Sequence, residues 1–265
     1  MSSSTSPSST MPIAKKAKTT KTITSCQDFW DNNIDMIKVT EQHPFLVQMV
    51  NGTLNVENFK YYVKQDVLYL NDFADCLERL SKTAPTKEYA ERLMKFSDGA
   101  KQAEMSLHKS FFKQWNITDD DDKDDMFLTE QMPNCLLYTS YMKRVITTES
   151  HVHGLAVLLP CFWVYMHVGK CMLQLREELK DTVTRLPQYD AWIDMYGGDE
   201  FEKEVNDYIA MVNDAITKIC NSDEYTSEKK DTILKEMEKH FQMCCKLEHM
   251  FWDQASNIMT WPQIG

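Results

Sequence analysis

From about Ser25 onward, apolar residues recur every three or four positions through long windows of the chain. That spacing places them on one side of an α-helix, whereas a half-buried strand alternates every second residue. It predicts helices at roughly 26–51 with an interruption near Pro44, then at 55–84, 86–116, 131–149, 152–179, 187–221 and 226–256. Tight turns between strands use glycine and proline heavily, and this chain has only 7 and 8 of them in 265 residues, below the roughly 7% and 5% of an average protein. Pattern and composition therefore agree on an all-α fold. Residues 1–22 are Ser/Thr-rich with lysines and predict a disordered tail. Residues 23–262 predict a single helical-bundle domain, with no internal repeat and no later shift in composition.

Local signals place some of the ends. Asn55 and Thr86 precede apolar-periodic runs as N-caps, although Asn58 and Tyr89 stand where a capping box wants Glu or Gln. Gly197-Gly198 should break the 187–221 helix. The acidic run Asp119–Asp125 reads as a solvated loop.

The formal net charge is −11, and the first 22 residues contribute four lysines and no acid, so the body is more acidic still. Such a surface repels phosphate backbones and argues against a nucleic-acid partner. The longest strongly apolar uncharged run, Gly154–Met166, is interrupted by Pro160 and falls short of the ~18 residues of a membrane span. No membrane partner is expected. Eight cysteines without a CxxC pair or a regular framework, and no secretory signal, point to a reducing, cytoplasmic setting.

Function shows as polar residues on faces that should be apolar. In "FKYYVKQDVLYLNDF", Phe59, Tyr62, Val63, Tyr69, Leu70 and Phe73 share a helical face with Asp66 in its middle, while Asp72 and Asp75 fall on the wetter side. A lone buried carboxylate costs several kcal/mol unless partnered, so Asp66 needs a partner or a cavity. In the last helix, Ile233, Met237, Phe241, Cys244, Glu248 and Phe251 form a stripe that includes Glu248. The third case is "LLPCFWVYMHVG", Leu158–Gly169. Pro160 removes a helical hydrogen bond and should kink the helix, opening space beside Cys161. Each of these residues alone has an ordinary reading, as a packed thiol or a structural hydrogen-bonder. Together they describe a pocket with one thiol and two carboxylates. Tyr69, Tyr138, Tyr165, Tyr196 and Phe251 are available as aromatic walls, which suits a flat, nitrogen-rich heterocycle.

Metal is the competing chemistry. His240, Cys244 and Glu248 follow one another at four-residue steps, and His151 and His153 form a second pair. Three ligands along one long helix diverge too far for one ion, and the Glu-x-x-His of di-iron bundles is missing. No metal and no cofactor is expected.

"HPFLVQMVNGTLNVENFKYYVKQDVLYL", "AEMSLHKSFF", "YTSYM", "LLPCFWVYMHVG", "WIDMYGGDEF" and "LEHMFWDQA" occur in the order found in the TenA family. The chain resembles these thiaminase II, or aminopyrimidine aminohydrolase, enzymes over roughly residues 25–256. The resemblance implies a heme-oxygenase-like all-α fold assembled as a homotetramer. It implies hydrolysis of 4-amino-2-methylpyrimidines, either aminomethylpyrimidine from thiamin breakdown or thiamin itself, to hydroxymethylpyrimidine. Cys161 matches the subgroup with a catalytic cysteine and would be the nucleophile. Asp66 would hold the pyrimidine amino group and help activate the thiol, and Glu248 would be the acid/base near a ring nitrogen. Tyr69, Tyr138, Tyr165, Tyr196 and Phe251 would form the substrate pocket. Val67 departs from the tyrosine common in the family at that position. The alternatives are a non-catalytic pyrimidine-binding or regulatory protein on the same scaffold, and a heme protein, which the bulky "LLPCFWVYMHVG" disfavours.

Overall fold

Thirteen consecutive residues of one helix, His153 to Tyr165, are buried, and the other helices are arranged around that segment. The computed structural model describes residues 22–115 and 125–264. The expected tail over 1–22, except for its last residue, and the acidic run Asp119–Asp125, except for Asp125, lie outside the described residues.

The first expected helix is three short ones: α1 (Cys26–Asn32), α2 (Ile34–Glu41) and α3 (Pro44–Val50). Pro44 opens α3 rather than interrupting a longer helix, because the first turn has no use for its missing N–H. The imidazole of His43 caps α3 by accepting from Phe45 N. Its Nε2 lies 3.1 Å from Asp253, so the α3 start is tied to the last helix. The second helix is α4 (Val56–Ser81), and Asn55 caps it by accepting from Glu57 N. Thr86 caps α5 (Lys87–Gly99) by accepting from Tyr89 N. Both caps form without a capping box. The expected 86–116 helix is not continuous. After Gly99 the backbone widens into a π-helical turn over Ala100–Glu104 before α6 (Met105–Gln114), a feature common beside functional sites.

A short α7 (Met126–Thr129) precedes α8 (Pro133–Thr148) and α9 (His151–Leu179). The glycine pair divides the next window as expected: α10 (Pro187–Gly197) ends there, and α11 (Asp199–Asn221) begins beyond Gly198. α12 (Ser227–Asn257) closes the bundle. No strand occurs among the described residues.

α9 runs unbroken through Pro160. It packs chiefly against α12, α10 and α11, and also against α8, α4, α3 and α2. The expectation that no segment is apolar enough to cross a membrane needs correction. An 18-residue window of α9 has mean hydropathy 1.5, enough by length and composition. Polar residues such as His167 do not outweigh the Leu, Val and Phe around them. Of that window 83% is buried inside the bundle, so its apolarity serves the protein core.

The approach of α9 to α10 depends on missing side chains. A Cβ on Gly169 would lie 2.4 Å from the Tyr196 carbonyl carbon and 2.6 Å from Gly197 N. Those are backbone atoms and cannot swing away. Gly169→Ala is therefore expected to lower stability by about 1–3 kcal/mol through overpacking, measured as a shift of the urea midpoint at unchanged slope.

Candidate active site

Five helices deliver these residues to one region. Asp66 and Tyr69 come from α4, Tyr138 from α8, Cys161 and Tyr165 from α9, and Glu248 and Phe251 from α12, while Tyr196 comes from α10. All eight are buried. Asp66, Tyr69, Leu70, Cys161, Tyr165 and Tyr196 line one small cavity of about 10 Å³, the room of a single water.

Tyr138, Glu248 and Phe251 stand behind the Tyr69 wall. The Tyr69 ring lies 5.0 Å from that of Tyr138 and 5.5 Å from that of Phe251. Opposite, the rings of Tyr165 and Tyr196 are 4.9 Å apart. Tyr62 donates towards Tyr165 Oη at 3.5 Å and accepts from Trp192 Nε1 at 3.2 Å. These bonds add a direction to the packing of the Tyr62, Tyr165 and Trp192 rings.

Asp66 has the partner its burial demands. His108 Nε2 lies 3.1 Å from Asp66 Oδ2, with both side chains buried. The contact is short but not aligned as a hydrogen bond, and Asp66 Oδ2 and His108 Nδ1 have no hydrogen-bond partner among the described residues. His108 was missed by the periodicity argument. The signal was present in "AEMSLHKSFF": a lone buried carboxylate calls for a cation or a donor, and His108 is the histidine of that segment. Asp72 and Asp75 are only partly buried, as the helical face predicts.

Cys161 lies within hydrogen-bonding reach of the Tyr69 hydroxyl. Cys161 also lines a second cavity, with Phe73, Gly99, Ala100, Phe162, Met195, Phe201 and Glu204. Cys161 thus lines two spaces.

Glu248 accepts a hydrogen bond from Tyr138 Oη at 2.6 Å. Burial pushes its carboxyl up to about 8; the Tyr138 bond works against this shift, and the charge of Asp66 adds to it. Burial holds the hydroxyls of Tyr69, Tyr138 and Tyr165 well above their usual range, so they remain donors at neutral pH. Cys244 and Cys245 are buried thiols pushed upward by the same cause.

The sequence-level metal candidates diverge. His240 bonds Tyr141 Oη at 2.9 Å and Glu149 at 2.7 Å, while Glu248 faces Tyr138. His151 meets Thr83 Oγ1 at 3.1 Å and His153 meets Ser150 Oγ at 2.9 Å.

The raised pKa of Glu248 has a measurable consequence. Between an unfolded value near 4.5 and a folded value near 8, the folded protein binds a proton that the unfolded chain lacks. This contribution to stability is full below about 4.5 and is lost as pH rises to about 8. The loss is on the order of 5 kcal/mol at ~1.4 kcal/mol per unit. Urea unfolding from pH 5 to 8 is expected to show a decline in the wild type that is strongly reduced in Glu248→Gln. Parallel curves would contradict a neutral Glu248.

Comparison with known proteins identifies the family. A model of the TENA/THI-4/PQQC family matches residues 27–257. An aminopyrimidine aminohydrolase of Bacillus subtilis (strain 168) is 30% identical over 219 residues, 83% of this chain and 84% of the relative. An aminopyrimidine aminohydrolase of Halalkalibacterium halodurans is 29% identical over 223 residues, 84% of this chain and 91% of the relative. A solved TenA homologue from P. horikoshii OT3 shares the fold with a TM-score of 0.72 at 22% identity, over 89% of this chain and 99% of that one. With its all-α, heme-oxygenase-like bundle, the chain belongs to the TENA/THI-4/PQQC family.

Proposed function

We propose that the protein is a thiaminase II-type aminopyrimidine aminohydrolase, converting aminomethylpyrimidine, thiamin or both to hydroxymethylpyrimidine in thiamin salvage. One observation carries the reading. Cys161 and an acceptor without a hydrogen-bond partner on Asp66 line one aromatic cavity, and a carboxyl raised to about 8 on Glu248 stands behind its Tyr69 wall. The relatives named aminopyrimidine aminohydrolase support it. A binding or regulatory protein has no need of that combination.

The chemistry follows from the residue types. The pyrimidine stacks among Tyr69, Tyr165 and Tyr196, and its 4-amino group donates to Asp66 Oδ2. The Cys161 thiolate adds to a ring carbon while a ring nitrogen takes the proton of Glu248, which breaks aromaticity. The bond from the exocyclic methylene to the leaving group then breaks, and the group departs with that electron pair. Water adds to the methylene and loses a proton. The Sγ–carbon bond breaks, aromaticity returns, and the proton goes back to Glu248. A free thiol is a weak nucleophile near neutral pH, so an acceptor for its proton is needed, and Asp66 with His108 beside it fills that role. Glu248 suits proton delivery at neutral pH because its pKa lies near the working pH. A pyrimidine is far larger than the closed cavity, so the aromatic wall swings outward on binding.

We read the protein as a cytoplasmic homotetramer. Eight cysteines without a disulfide among the described residues fit a reducing compartment. Leu136 and Leu137, exposed side by side on α8, offer apolar surface for self-association.

Purified protein incubated with aminomethylpyrimidine and, separately, with thiamin is expected to yield hydroxymethylpyrimidine by chromatography. Cys161→Ala is expected to lose at least ~10²-fold in kcat while still binding the pyrimidine. Binding without product in the wild type would favour the non-catalytic alternative. In the pH–rate profile, activity is expected to fall above about pH 8 as Glu248 loses its proton. Tyr138→Phe removes the bond that favours the ionised carboxylate, so that limb should move to higher pH.

A further inference from the structure

Cys161 stands at the inner end of a row of three neighbouring spaces that leads to the surface. Cys161 lines both the pyrimidine cavity and the second cavity. The second cavity, of about 20 Å³, meets a broad surface pocket of about 410 Å³ at Gly99 and Glu204. The three spaces are thus neighbours divided by shared walls, with Cys161 in the inner wall and Glu204 in the outer one.

Glu204 is unusual in such a wall. It is partly buried, and no hydrogen bond or salt bridge holds it among the described residues. Its Oε1 lies 3.0 Å from where a Cβ would stand on Gly99, so the missing side chain leaves room for the carboxylate to reach into these spaces. The walls between it and the thiol are Phe73, Phe162, Phe201 and Met195. Phe201 stands edge-on to Tyr196 of the pyrimidine pocket at 5.3 Å. Aromatic faces beside an unpaired carboxylate form a site for an organic cation. Burial raises the carboxyl of Glu204, and Lys95 lowers it, so an arriving cation would strengthen its ionised form.

Resting on the aminopyrimidine reading, we propose that the spaces beyond Cys161 form a leaving-group subsite: with the ring on the Asp66 side of Cys161, the departing group lies on the Glu204 side, and Glu204 binds it when it carries positive charge. Both substrate types carry that charge. An aminomethyl group is an ammonium at neutral pH, and the thiazole of thiamin is a quaternary thiazolium. The product hydroxymethylpyrimidine is neutral there and makes no demand on the carboxylate.

The test compares wild type with Glu204→Gln, which keeps size and removes charge. Three ligands share the same ring: aminomethylpyrimidine, its neutral methoxymethyl analogue and hydroxymethylpyrimidine. The variant is expected to lose at least tenfold in kcat/KM for the ammonium substrate and less than threefold for the methoxymethyl analogue. Its dissociation constant for hydroxymethylpyrimidine, measured by calorimetry, should be unchanged. Equal losses for both substrates, or no loss for either, would overturn the subsite. If the wild type binds these pyrimidines but turns none over, the enzymatic reading fails by itself, and the subsite is then judged by affinity: it stands only if Glu204→Gln weakens the ammonium ligand and spares the neutral ones. Wild type that binds no pyrimidine at all removes both.

Discussion

A helix that is apolar on every side is stable only if every side is covered. α9 imposes that constraint here, since each residue from His153 to Tyr165 is buried. Water cannot be left on any face without a cost of about 25 cal/mol per Å² of apolar surface. The remaining helices therefore surround it, with α10 drawn close enough that Gly169 and Gly197 meet backbone to backbone. The same closeness positions Tyr196 against Tyr165. Packing and site geometry are thus one constraint: the glycines that let α10 approach also set one wall of the pocket.

Asp66 and Glu248 survive inside this core because each is partnered or faces a cavity. Glu248 rests on Tyr138 and stays neutral because desolvation outweighs the hydrogen bond. Asp66 sits against His108 but retains an acceptor without an aligned donor. An unsatisfied buried acceptor costs about 1–3 kcal/mol, and a ligand amino group would recover that cost on binding. The interior therefore carries an internal preference for a hydrogen-bond donor, set before any ligand arrives. The second cavity beside Cys161 carries the complementary preference, an unpaired carboxylate between aromatic rings.

Much of this was legible in the chain because helical spacing reports burial directly. Asp66 and Glu248 stood out as charges on stripes that packing must cover, and both are buried. The caps at Asn55 and Thr86 were legible from residue type, since a short side-chain oxygen can reach a free N–H of the first turn. The division at Gly197-Gly198 was legible from backbone freedom. The π-helical turn at Ala100–Glu104 was not, because its neighbouring windows keep helical periodicity on both sides. The restart at Pro44 was only half legible: proline marks a boundary but does not say whether it closes one helix or opens the next.

By itself the sequence determined the helices, the buried stripes, the family and the identity of the residues that would stand out in a core. Those properties are local, fixed by spacing and side-chain chemistry within a few turns. The tertiary structure decided which of the polar residues meet. His108 joins Asp66 across 42 positions of chain, Tyr138 joins Glu248 across 110, and Glu204 comes over Gly99. None of these pairs has a fixed sequence spacing, because each depends on how far two helices approach and at what register. The same approach distances set the 10 Å³ cavity and the second cavity beside it, since empty space belongs to no residue and arises only where packed surfaces fail to meet.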